Sequence, residues 1–107
     1  MSLQNFRTYN LAKEFYKECE KIRCQSHVKN QLSRASLSIV LNLAEGAGKD
    51  SFKDRARFYR ISLGSFRECT AILDLLENET LLKKYDYLGI CLYNLHKYTL
   101  NPRKQTT

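Results

Sequence analysis

The sequence has no tryptophan, one proline (Pro102), four glycines and two histidines in 107 residues. So little proline and glycine excludes a loop-rich all-β chain and a low-complexity one. It contains no run of 18 apolar residues, so no segment reads as membrane-spanning. The opening MSLQNFRTYN is too polar for the apolar region of a secretory leader. A cytoplasmic chain with reduced thiols is therefore the expectation. Cys19 and Cys24 stand five apart, and Cys69 and Cys91 have no near partner, so zinc-knuckle spacing is missing. All four read as structural thiols, three of them as small hydrophobes on helix faces. His27 and His96 lack a second histidine at ligand spacing, and there is no HExxH. Neither a metal nor a cofactor is expected, and His96 reads as a hydrogen-bonded residue at the edge of the core.

Hydrophobic residues make up 43% of the chain and charged residues 27%, the balance of one globular domain over residues 1–107. Eighteen basic residues against eleven acidic give a net charge of +7, which points to an anionic partner. Helical periodicity predicts four helices, over about 8–23, 29–45, 51–77 and 81–100. Short connections between them imply an all-α, antiparallel up-down four-helix bundle. Ser51-x-x-Asp54 has the form of a capping box. Gly46-Ala47-Gly48-Lys49 follows a helix rather than a strand, so it reads as a helix terminator with glycine in the left-handed cap. Asn101-Pro102 closes the last helix, and the tail beyond it is expected to fray.

The second and third helices carry more apolar surface than one bundle face can bury. In the second, Leu32, Ala35, Ile39 and Leu43 form one stripe, and Leu37, Val40, Leu41 and Ala44 another. The seam left between them holds Gln31, Arg34, Ser38, Asn42 and Glu45. An outer face this apolar predicts contact with another subunit. The seam reads as a buried polar network that sets packing register. In the third helix, Lys53, Arg57, Arg60, Gly64 and Arg67 recur at three- and four-residue spacing. Residues 49–67 hold six basic and two acidic side chains, the densest positive patch in the chain. Guanidinium forks match phosphate oxygens, so this row is the candidate phosphate contact, with Arg34 as an outlying member. Gly64 inside a helix is disfavoured and makes sense if a backbone or a ligand approaches there. Tyr85, Tyr87, Tyr93 and Tyr98 lack an interleaved basic motif and read as packing. No nucleophile, base and orienting acid occur as a set, so no catalysis is expected.

Two segments carry a family resemblance. Gln31-Leu32-Ser33-Arg34-Ala35-Ser36-Leu37-Ser38-Ile39-Val40-Leu41-Asn42-Leu43-Ala44-Glu45-Gly46 resembles the signature of the four-helix-bundle proteins encoded by intervening sequences of bacterial 23S ribosomal RNA genes. Arg57-Phe58-Tyr59-Arg60-Ile61-Ser62-Leu63-Gly64-Ser65-Phe66-Arg67-Glu68 is similar to that family's second signature. With the first helix, the likeness covers most of residues 5–77. Two departures stand out: Cys24-Gln25-Ser26-His27 is shorter than the usual connection, and Ser62 replaces the usual alanine. The resemblance implies a bacterial cytoplasmic bundle that assembles as a ring-like homo-oligomer, a pentamer. It also implies a distant architectural cousin, the accessory variability protein of diversity-generating retroelements, which works with a reverse transcriptase. It assigns no activity to Arg34, Asn42 or Glu45.

The expectation is thus a non-enzymatic basic homo-oligomer that binds structured RNA or DNA through phosphates. Lys53, Arg57, Arg60 and Arg67 would carry the contacts, with Arg34 beside them. Two readings of other classes stay open: an adaptor that docks a partner enzyme such as a reverse transcriptase, and a small-molecule binder using the Asn42/Glu45 seam.

Overall fold

A computed structural model describes residues 2–101; Pro102 and the tail beyond it lie outside the described residues. The described chain is all-α. Behind a 3₁₀ turn at Leu3–Asn5 come α1 (Arg7–Glu20), α2 (Ser26–Ala47), α3 (Phe52–Leu75), α4 (Glu79–Lys84) and α5 (Asp86–Leu100). They form a rod of about 45 × 23 × 21 Å. The 24 residues of α3 alone make about 36 Å of helix. It lies at the centre, packed along α2 on one side and α5 on the other.

The α3 start is the one the capping pattern predicts: Ser51 Oγ accepts the Asp54 amide at 3.1 Å. Its end is set by backbone geometry instead. Glu77 takes a left-handed conformation with φ 58°, and the Asn78 amide reaches back to the Leu73 carbonyl at 2.9 Å. Asn78 then caps α4, its Oδ1 accepting the Leu81 amide at 3.0 Å. The predicted last helix is therefore two helices. Tyr85, with φ −110° and ψ 18°, interrupts it, and its ring is buried against Phe15.

The glycine pair after α2 differs from expectation. No described glycine has a positive φ, and α2 runs through Gly46 to Ala47. Gly46 is buried, and a Cβ there would fall 2.7 Å from Tyr59 Cε1 and 3.1 Å from Phe58 Cβ. The residue is small because α3 packs against it, not because the chain turns. The C-terminus of α1 is closed from outside. Lys29 Nζ donates to the carbonyls of Cys19, Glu20 and Ile22, placing a cation at the negative end of the helix dipole.

Phe15, Leu32, Ile39, Leu43, Leu73, Leu88 and Leu92 are fully buried. The Phe15 ring lies 5.4 Å from that of Phe66 and 5.1 Å from that of Tyr85, joining α1 to α3 and to the α4–α5 junction. Cys19 and Cys69 are buried among them. Burial pushes both thiols up, that of Cys19 to about 12, so neither is a nucleophile at neutral pH. Between α2 and α3, Ser62 Oγ donates to the Ile39 carbonyl at 3.0 Å. Ser38 pairs with Ser65, and Gln31 with Glu68. Between α3 and α5, Phe66 sits under Gly89 and Ala56 faces His96. No described helix is long and apolar enough to cross a membrane.

Candidate nucleic-acid interface

The central position of α3 gives it two outer edges. At roughly 100° per residue, Lys53, Arg57, Arg60, Gly64 and Arg67 fall on the edge toward α5. Phe58, Ile61 and Ser65 fall on the edge toward α2. The four cations are exposed. Among the described residues the one ion pair joins Lys84 to Glu18 at 2.9 Å, so no described carboxylate within 4 Å neutralises the row. Arg57 stacks its guanidinium 4.5 Å from the centroid of Phe58, which holds the side chain along the surface. Arg55, from the same basic segment, turns the other way, and its Nε donates to the Lys49 carbonyl at 2.6 Å. It serves the α2–α3 connection, not the row.

Two cavities lie where α3 meets α5. The first, of about 370 Å³, is lined by Lys53, Arg57, Arg60, Asp54, His96 and Leu100 among others. His96 is half-buried, with Nδ1 3.3 Å from the Ala56 carbonyl, the edge-of-core position expected for it. Donating Nδ1–H to that carbonyl leaves Nε2 as the free ring nitrogen. The second cavity, of about 540 Å³, includes Arg67, Phe66, Asp86, Ile90 and Tyr93 in its walls. The structure therefore brings three members of the row into one cavity and the fourth into its neighbour. Arg34 is exposed on α2 and lines neither.

The polar seam of α2 is filled by hydrogen bonds. The Asn42 amide donates to the Ser38 carbonyl at 2.9 Å and to Ser38 Oγ at 3.0 Å, and Ser38 Oγ meets Ser65 Oγ at 2.8 Å. Gln31 donates to Glu68 on α3. Gln31, Arg34 and Glu45 are exposed, so the buried network expected of the whole seam reduces to Ser38 and Asn42 with Ser65. A small-molecule site would need space where Ser38, Asn42 and Ser65 already satisfy one another.

Beyond the seam, Leu37, Leu41 and Ile61 are 39%, 56% and 40% exposed. They form an apolar face on the α2 edge with no partner inside the protomer. The tyrosines divide in a way the sequence reading missed. Tyr85 is buried, but Tyr87, Tyr93 and Tyr98 are 48%, 47% and 41% exposed and do not serve as packing alone. Basic residues do interleave with them, from other turns and another helix. Lys97 lies 5.9 Å from the Tyr93 centroid and 5.8 Å from that of Tyr98, and Arg7 lies 5.5 Å from that of Tyr87. The i to i+4 step from Tyr93 to Lys97 was the available sequence signal.

Residues 5–93 match the 23S rRNA-intervening sequence protein family. The chain belongs to that family. Comparison with curated proteins and with solved structures returns no match. The family match spans both signature segments, the whole of α3 and all of α5 up to Tyr93. It therefore covers the cationic row and most of the α3–α5 groove.

Proposed function

We propose that this protein is a non-enzymatic, basic homo-oligomer that binds structured RNA or DNA through phosphate contacts in the cytoplasm of its host. The observation that carries the proposal is the exposed row of Lys53, Arg57, Arg60 and Arg67, which has no ion-pair partner among the described residues. A solvated face of this length normally mixes both signs; a row of one sign along a groove suits a polyanion. Membership of a family named for an intervening sequence of 23S rRNA is compatible with association with RNA. We read the helices as an antiparallel up-down bundle. The pairs Ile39–Ser62 and Gln31–Glu68, and then Ala56–His96 and Phe66–Gly89, run in opposite chain order across each helix pair and support that reading.

Self-association belongs to the α2 side of the protomer, through Leu37 and Leu41 of α2 and Ile61 of α3. The ring-like pentamer implied by the family resemblance is the assembly we propose. Arg57, whose guanidinium lies over the Phe58 ring of that edge, borders the proposed interface, while Lys53, Arg60 and Arg67 lie farther round α3 and stay open.

The test is a titration of labelled structured RNA and DNA at two salt concentrations. Binding should fall steeply with salt. An Arg57→Gln/Arg60→Gln double variant should flatten the log–log salt slope by about 0.7 to 0.9 for each phosphate that the protein no longer neutralises. Unchanged affinity and slope in that variant would move the site off α3, and absence of binding at low salt would leave the adaptor reading in its place. In the same preparation, Leu41→Glu should shift sedimentation toward the protomer without changing helical content.

A further inference from the structure

We propose that the groove between α3 and α5 receives an unpaired nucleic-acid strand, with phosphates on Lys53, Arg57, Arg60 and Arg67 and a base stacked on Tyr93. This rests on the phosphate-binding reading above and goes beyond it in assigning the contact to an unpaired segment of that structured RNA or DNA.

Tyr93 is nearly half exposed and shares a cavity wall with Arg67. The Lys97 ammonium lies near its ring. A ring flanked by cations beside a basic track is the combination that holds single strands, because every base offers a π-face and every linkage a charge. Ile90, one turn earlier and 50% exposed, adds apolar surface on the same wall. The floor is apolar too, since Leu63 and Phe66 line the cavity.

Gly64 has nothing within 4 Å of where its Cβ would be, and its φ is not left-handed. Neither packing nor backbone in the protomer requires a glycine there. It leaves a gap in the row between Arg60 and Arg67, where a strand can lie close to the helix. From Lys53 to Arg67 the row covers about 21 Å of helix. Two walls carry carboxylates, Asp54 and Asp86; with Lys97 the cations outnumber them. A duplex keeps its bases stacked inside its own cylinder and presents no ring face to a side chain set between two helices. An unpaired strand does.

The experiment is a fluorescence-anisotropy titration with three probes of about 12 nucleotides: single-stranded RNA, single-stranded DNA of the same sequence, and the duplex. A 2-aminopurine in the strands reports stacking directly. Wild-type protein should bind at least one single strand about tenfold more tightly than the duplex and should quench the 2-aminopurine. Tyr93→Ala should lose about tenfold on the single strand, with the salt slope and duplex affinity unchanged. Tyr93→Phe, which keeps the ring, should bind as wild type does. Gly64→Leu should weaken single-strand binding while leaving helical content intact.

Equal affinity for strand and duplex, or full affinity and quenching in Tyr93→Ala, overturns the inference. If those results come with a salt slope that the Arg57/Arg60 variant still flattens, phosphate binding stands and only the unpaired-strand assignment falls. If wild-type protein binds none of the three probes at low salt, both readings fall together.

Discussion

Alanine at Gly64 and alanine at Gly46 should move stability in opposite directions, although both sites are helical. Each substitution gains the intrinsic difference between glycine and alanine within a helix, about 0.8 to 1 kcal/mol. At Gly64 nothing lies within 4 Å of the new methyl, so the whole gain should appear. At Gly46 the methyl would fall 2.7 Å from Tyr59 Cε1 and 3.1 Å from Phe58 Cβ. Tyr59 is 3% exposed and cannot swing into solvent, so either the ring or the α2–α3 spacing has to shift. Overpacking of this kind costs about 1 to 3 kcal/mol, which cancels or exceeds the helix gain. In a domain of this size about 1 kcal/mol corresponds to about 4 to 8 °C in Tm. Thermal melts followed by circular dichroism, with sedimentation to confirm equal assembly states, should place Gly64→Ala about 4 to 8 °C above wild type and Gly46→Ala at or below it. A Gly46→Ala variant as stabilised as Gly64→Ala would refute the close-packing account of the α2–α3 crossing. A destabilised Gly64→Ala in a dissociated protomer would refute the claim that the site is open.

Glu77→Gly should raise Tm by several degrees in the same assay, because a non-glycine residue at φ 58° carries a left-handed penalty of about 1 to 2 kcal/mol, part of which glycine entropy offsets; no gain would mean that the Glu77 side chain stabilises the turn. Ser62→Ala, which restores the family's usual residue, should cost about 1 kcal/mol or less, since the Ile39 carbonyl that accepts from Ser62 also takes part in its own helix; a much larger loss in urea unfolding would contradict this. The Lys84 ammonium and the Tyr85 phenol hold the Glu18 carboxyl below its ordinary value. The stability this supplies is present above the usual carboxylate range and lost as pH falls through it, so Glu18→Gln should flatten the acid limb of a stability–pH profile. Burial, and then Glu18, push the Tyr85 phenol well above its ordinary value. That contribution is full below about pH 10 and lost as pH rises beyond it, so a spectrophotometric titration of wild type against Tyr85→Phe should place the Tyr85 ionisation above the ordinary phenol range.

The cationic row was legible because it lies on one helix. Lys53, Arg57, Arg60 and Arg67 share a face by the 3.6-residue period alone, whatever packs behind them. The surplus apolar face of α2 was legible only in part: Leu37 and Leu41 are exposed in the protomer, but Val40 of the same stripe is buried in its core. His96 reached its core-edge position through its place on the apolar side of the last helix. Glu45 did not behave as predicted, because a helical projection gives the angle of a residue but not the width of the neighbour that covers it. Ser38 and Asn42 are half-buried beside α3, whereas Gln31, Arg34 and Glu45 of the same sector are exposed.

Local features were therefore readable in the sequence: the all-α class, the stretches that make the long helices and the residues that share a helix face from periodicity, and the Ser51 cap from its motif. Everything that depends on one helix meeting another needed the packed fold. The last predicted helix is broken at Tyr85, whose ring packs on Phe15. Tyr59 under Gly46 converted an apparent turn glycine into a packing glycine. The seating of Phe66 beneath Gly89 and of His96 against Ala56 set the register of α5 on α3. Tyr93 came to share a cavity wall with Arg67 through that register. Helical period is a local property of the backbone, whereas register is fixed by how side chains more than twenty residues apart fill a shared core.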